Sequence, residues 1–201
     1  MSMRRLLALV LLLTTACAAT RINSMTDPEY VGDGYSKVLV SVAVSDLGLR
    51  KDAEGDISER MRERGIQAVP SYEVYFPGRE YSADQVQELL REHGIESVLI
   101  VRVERTGVSG VRDEGDTSPT VNVIVEDQEP TVLEPATLQI EKSPKPWADF
   151  SVSLYDTDAG LVVWTATAST SGNAYAGAKT LLRSLAKKVV EQLALDEVIP
   201  D

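Results

Sequence analysis

Residues 61–69, MRERGIQAV, and residues 90–98, LREHGIESV, share one pattern: a charged helix end, a glycine, then an apolar start. Gly65 and Gly94 take the position just past a helix end, where positive φ costs glycine nothing. A helix that stops on glycine and turns straight into a strand, twice over, describes β-α-β geometry and a partly parallel sheet.

The flanks extend this reading. Residues 37–44, KVLVSVAV, form an apolar, β-branched run suited to a buried central strand. Between Lys51 and Arg64, Ile57 and Met61 fall one turn apart among charges, which predicts a surface helix with a narrow buried stripe. Residues 66–76 read as the next strand, stopped by Pro77 and Gly78. Ser82 and Gln85 form a capping box, and Val86, Leu89, Leu90 and His93 follow at helical spacing before a strand over 96–103. Residues 150–155 alternate apolar and polar, residues 156–160 (DTDAG) turn, and residues 161–168 (LVVWTATA) return as a hairpin. Ala178, Leu181, Leu182, Leu185, Val189 and Leu193 draw an amphipathic closing helix. The predicted fold class is α/β: a single two-layer sandwich over residues 37–199, with helices packed on a mixed β-sheet.

Residues 106–147 interrupt the pattern with five prolines, and eight acidic residues lie between Asp113 and Glu141. Short strands are expected at 120–125 and 137–140, but connections in compact domains usually run to about 4–6 residues. The segment reads as an acidic, Pro-containing insertion.

Composition removes several functional classes. The 201 residues are 43% hydrophobic, too many for a disordered chain, so a packed core is expected. Twenty Lys+Arg against 31 Asp+Glu give a formal charge of −11. That balance opposes nucleic-acid binding, which needs clustered cations to displace phosphate counterions. One cysteine excludes a disulfide framework and a cysteine-built zinc site. One histidine leaves no histidine-built metal centre, and no cofactor is expected.

The N-terminus reads as an address. Arg4 and Arg5 precede the apolar run Leu6 to Leu13, and Thr14, Thr15, Ala16 and Cys17 follow. Eight apolar residues are too few to cross a hydrocarbon core that needs about 20 in a helix, so residues 1–16 read as an export signal. The lone Cys17, placed just after the apolar run, resembles the lipobox of bacterial lipoproteins, although Thr14 stands where leucine is usual. The resemblance implies acylation of Cys17, a membrane anchor and a periplasm-facing domain; Ala18 after the cysteine points to the outer membrane. Without Arg4 and Arg5 the chain carries 18 Lys+Arg against 31 Asp+Glu, a formal −13, so the domain itself is repelled by anionic headgroups. Residues 17–36, polar and rich in turn residues, read as the lipidated N-terminus and a tether.

Motifs for chemistry are absent or incomplete. His93, in a last helical turn, stabilises the helix end through the dipole. Residues 172–180 (GNAYAGAKT) place Ala178 where a phosphate-binding loop needs lysine, and Gly172 and Asn173 read instead as the loop and N-cap of the last helix. Asp156, Asp158 and Gly160 lack the glutamate that a calcium loop carries at its twelfth position and read as a hairpin turn. Trp147 and Trp164 read as core or sheet-edge packing. An enzyme would require His93, Asp156 and Asp158 to converge, and no catalytic residue is assigned.

The piece from Leu154, Tyr155 and Asp156 through Gly160 to Trp164, together with the lipobox-like signal and helix-strand units, resembles penicillin-binding-protein activators and curli-secretion-type lipoproteins. That resemblance implies a non-catalytic accessory or assembly factor of the bacterial envelope with a protein partner. The alternative is a periplasmic protein that binds a lipid or small ligand between sheet and helices, which predicts a sizeable apolar pocket.

Overall fold

The computed structural model describes residues 17–30, 34–109 and 145–200. In chain order the elements are β1 (Ala18–Thr26), β2 (Lys37–Ala43), α1 (Leu47–Arg62), β3 (Gln67–Pro70), a 3-10 turn (Ser71–Glu73), α2 (Ala83–Glu92), β4 (Ser97–Val108), β5 (Pro146–Asp156), β6 (Val162–Gly172) and α3 (Ala178–Leu195). The strands form one mixed sheet in the order β1-β6-β5-β4-β2-β3. Strands β3, β2 and β4 are parallel, and β4, β5, β6 and β1 pair antiparallel. This is the α/β sandwich expected.

The repeated glycines sit where the pattern put them, Gly65 at φ +84° and Gly94 at φ +60°. Ser82 closes the capping box: its hydroxyl accepts from the Gln85 N–H, and the Gln85 side chain accepts from the Ser82 N–H. The main core lies between the sheet and α1 with α3. Val38, Val40, Val42, Leu99, Val101, Phe150, Val152 and Leu154 face Ile57, Met61, Leu181, Leu185 and Val189. The connection β2-α1-β3 steps outward and β3-α2-β4 steps back over β2, so right-handed crossovers put α1 and α2 on opposite faces. Leu39, which alternates away from the main core, is accordingly 1% exposed, whereas α2 itself buries no residue completely.

Four expectations change. Residues 18–26 are not tether but the edge strand β1, antiparallel to β6 over its whole length. Its inward side chains are mostly hydroxyls, so hydrophobic alternation does not mark it. Thr20 Oγ1 lies 2.8 Å from both Thr170 Oγ1 and Ser184 Oγ, and Ser24 Oγ donates to Asp196 at 2.6 Å. The strand expected over 66–76 ends at Pro70, where proline has no N–H for the ladder, and a 3-10 turn follows. The N-cap of α3 is Gly177, while Asn173 makes a local turn by accepting from the Tyr175 N–H. Strands β4 and β5 run on to Val108 and back from Pro146, so both ends of the expected insertion at 106–147 are regular sheet. The short strands expected at 120–125 and 137–140, and the signal at 1–16, lie outside the described residues.

Gly107 is required by its neighbour on the sheet. It pairs with Trp147, and a Cβ at this glycine would stand 2.5 Å from Trp147 Cζ2. Gly107→Ala therefore displaces the indole and lowers stability by about 1–3 kcal/mol. An unchanged urea midpoint and unchanged Trp147 emission would contradict this packing.

Candidate functional site

Cys17 is a free, exposed thiol on the residue immediately before β1. Its carbonyl accepts from the Asn173 N–H at 2.9 Å, so the sheet begins on the cysteine itself. The same end of the sheet holds the C-terminal ends of β2, β3, β4 and β6, the exposed Leu47 and Tyr175, and the junction at which residues 110–144 leave and return. At that junction the Ser109 N–H donates to the Lys145 carbonyl at 3.0 Å.

The densest polar centre at this end surrounds Glu54, whose side chain is completely buried. Its carboxylate accepts from the Val42 N–H at 3.0 Å, from Arg50 Nε at 2.9 Å and from the Ser71 hydroxyl at 2.7 Å. Arg50 Nη2 in turn donates to Ser71 Oγ at 2.8 Å, closing a triangle. The triangle ties α1 to the end of β2 and to the 3-10 turn after β3. Beside it a shallow cleft of about 250 Å³ is lined by Leu47, Arg50, Lys51, Tyr72 and Pro77. Lys51 Nζ stands 5.7 Å from the Tyr72 ring centre, a cation–π distance. Glu54 is enclosed and fully bonded, so its role is to position the walls of the cleft. Sequence reading missed it, although one signal was present: Glu54 falls beside Ala53, Ile57 and Met61 on the inward stripe, four residues after a cation.

The other expected residues act locally. His93 is the C-cap of α2, with Nδ1 2.9 Å from the Leu89 carbonyl. Asp156 accepts from the Asp158 and Ala159 N–H groups within the hairpin turn and from the Tyr35 hydroxyl at 2.9 Å. No hydrogen bond joins His93 to Asp156 or Asp158 among the described residues. Trp164 is 1% exposed in the core, and its indole Nε1 donates to Asp196 at 2.7 Å. No group of three or more His, Cys, Asp or Glu side chains able to hold a metal occurs among the described residues. No helix among them is long and apolar enough to cross a membrane.

Three carboxylates carry a pH consequence. Burial pushes Asp196 upward, but hydrogen bonds from Ser24, Trp164 and Gln192 outweigh it and hold the group below the usual aspartate value. At Asp156 burial is likewise outweighed, by the Ala159, Tyr35 and Asp158 donors. The Ser36 hydroxyl leads in lowering Glu96, which also accepts from the Ser36 and Lys37 N–H groups. A depressed carboxylate stabilises the fold above its unfolded pKa of about 4, and that stability is lost as pH falls through the folded value. The urea midpoint is expected to fall on acidification below about pH 4, with Asp196→Asn flattening part of the slope. A profile identical in the variant would remove Asp196 from the account.

No family model and no curated protein sequence matches the chain. Solved structures do. A variant of PelC from Paraburkholderia phytofirmans, a dodecamer, is 19% identical with a TM-score of 0.50, over 86% of this chain and 98% of PelC. A second PelC dodecamer crystal form from the same organism matches at 19% identity and TM-score 0.49, over 85% of this chain and 95% of the other. Lipoprotein GNA1162 from Neisseria meningitidis matches at 17% identity and TM-score 0.42, over 80% of this chain and 99% of the other. Neither protein bears the name of a penicillin-binding-protein activator or a curli-secretion lipoprotein. At this identity the likeness to PelC is one of fold.

Proposed function

We propose that this chain is a non-catalytic lipoprotein of the bacterial envelope, anchored through acylated Cys17, facing the periplasm and serving as a protein-binding accessory factor. The observation that carries the reading is where the fold begins. An export signal ends at residue 16 by sequence, and the sheet starts at Ala18. Cleavage before Cys17 therefore removes a separate address and leaves the domain entire. With no spacer between Cys17 and β1, the lipid holds the β1 corner of the sheet at the bilayer surface. Two or three acyl chains suffice for stable anchoring, since each buried CH2 contributes about 0.8 kcal/mol. The outer membrane is the proposed address, from Ala18 after the cysteine.

Ligand binding is not favoured. Two open depressions among the described residues, of about 120 and 250 Å³, fall below the range of about 300–1,000 Å³ usual for ligand pockets.

In-cell crosslinking of wild type and Cys17→Ala, with membrane fractionation and identification of what co-purifies, tests the proposal. Wild type is expected in the membrane fraction with a protein partner, and Cys17→Ala in the soluble fraction without it. Equal fractionation of the two forms would sink the anchor. A companion variant with an Asn-Gly turn in place of residues 110–144 is expected to fold, because Ser109 and Lys145 are already bonded across the ladder and a two-residue turn can join them. If that deletion retains the crosslinked partner, the partner binds elsewhere on the domain.

A further inference from the structure

The two edges of the sheet are not alike. Strand β3 is four residues long and ends on Pro70, and Arg62 Nε donates to the Ala68 carbonyl at 2.9 Å. Those are devices that stop a sheet from growing. Strand β1 is nine residues long, contains no proline and carries one charge, Arg21.

Its free backbone groups can be assigned. The Cys17 carbonyl accepts from the Asn173 N–H, and the Asp27 N–H donates to the Val163 carbonyl, at the two ends of the β1-β6 register. Hydrogen-bonded pairs alternate along an antiparallel ladder. The odd-numbered residues of β1 therefore bond to β6, and the N–H and C=O groups of Ala18, Thr20, Ile22, Ser24 and Thr26 point out of the sheet. The Ala18 carbonyl accepts from Ser184 Oγ at 3.3 Å. The outward backbone groups of Thr20, Ile22, Ser24 and Thr26 have no bonding partner among the described residues.

We infer that β1 is an interface at which a second copy of this chain adds its own β1, antiparallel, with the twofold axis at Ile22. Only residues of the outward set can bond across the new edge, and centring on Ile22 pairs all five of them. Centred on Ile22, Thr20 faces Ser24 of the other copy, and Met25, which is 70% exposed, faces the small Ala19. Arg21 faces Asn23, a hydrogen-bonding side chain, and never its own copy. Like charges opposite one another are thereby avoided, which a self-pairing strand requires. The axis stands perpendicular to the sheet, so both Cys17 residues lie on one side, about 33 Å apart for ten residue steps at about 3.3 Å each. Two lipid anchors on one membrane are compatible with this arrangement, although the pairing does not depend on acylation.

Sedimentation of the full chain carrying Cys17→Ser tests it without the lipid. A dimer is expected at high-micromolar concentration. Ile22→Pro removes an N–H that makes no bond to β6, so it should halve the mass with circular dichroism unchanged, whereas Ile22→Ala, which keeps the N–H, should remain dimeric. In the same background, oxidising a mixture of Arg21→Cys and Asn23→Cys chains should yield a disulfide-linked heterodimer that neither chain forms with itself. A monomeric parent chain, a dimer or ring that survives Ile22→Pro, or Arg21→Cys chains that crosslink to themselves would each overturn the inference.

Discussion

Arg50→Ala lowers the unfolding free energy by about 3–5 kcal/mol, as expected when one partner of a buried pair is removed and the other charge stays behind. The Glu54 side chain is wholly enclosed, whereas the Arg50 side chain is 26% exposed, so the loss is greater when the cation goes. Without the guanidinium, the carboxylate retains the Val42 N–H and the Ser71 hydroxyl but no charge to offset its desolvation. The cost approaches a large part of a domain's total stability, typically about 5–15 kcal/mol. Pairing Arg50→Ala with Glu54→Gln recovers part of it, because the amide oxygen can still accept from Val42 while the stranded charge is gone. Urea unfolding of the wild type, the two single variants and the double variant forms a closed cycle. Losses that simply add would mean that Arg50 and Glu54 act independently and that the triangle with Ser71 holds nothing together.

This centre also shows where sequence reading stops. The β-α-β half was legible because its signals are local: Gly65 and Gly94 need only their own φ, and the Ser82–Gln85 capping box closes within four residues. The closing helix α3 was legible from Leu181, Leu185, Val189 and Leu193, a stripe long enough to read by periodicity. What failed depends on partners far along the chain. Thr20 and Ser24 look like tether residues until Thr170, Ser184 and Asp196 are brought beside them, more than 140 residues away in sequence. Glu54 looks like another surface acid until Val42 and Ser71 enclose it. Asn173 resembles an N-cap by type, but α3 starts at Ala178, after a turn that sequence did not separate from the helix. The expectation of acylation at Cys17 rests on its sequence neighbours alone. The cysteine's place at the sheet edge was not legible, because β1 itself was invisible.

Trp164→Ala lowers stability by about 3–5 kcal/mol, the usual range for truncating a buried tryptophan. Two losses combine. The ring is 1% exposed beneath α3, and its removal leaves a cavity among well-packed neighbours. The indole N–H is also one of three donors to the Asp196 carboxylate, with the Ser24 hydroxyl and the Gln192 amide as the others. Trp164→Phe separates the two, since it keeps most of the volume and loses the donor; about 1.5–3 kcal/mol is expected for a hydrogen bond to a charged group. Asp196 joins β1, β6 and the end of α3, so both variants should also loosen β1. Hydrogen exchange at Ala19, Arg21, Asn23 and Met25, whose N–H groups bond to β6, should quicken ahead of exchange in β2 and β4. Trp147 is the second tryptophan and remains as an internal reporter, so its emission should hold steady below the unfolding midpoint. If Trp164→Phe matches wild type in stability and in β1 exchange, the Asp196 bond contributes nothing. The edge strand that follows Cys17 would then be held by its ladder to β6 and by the Thr20 and Ser24 hydroxyls, with no help from the indole.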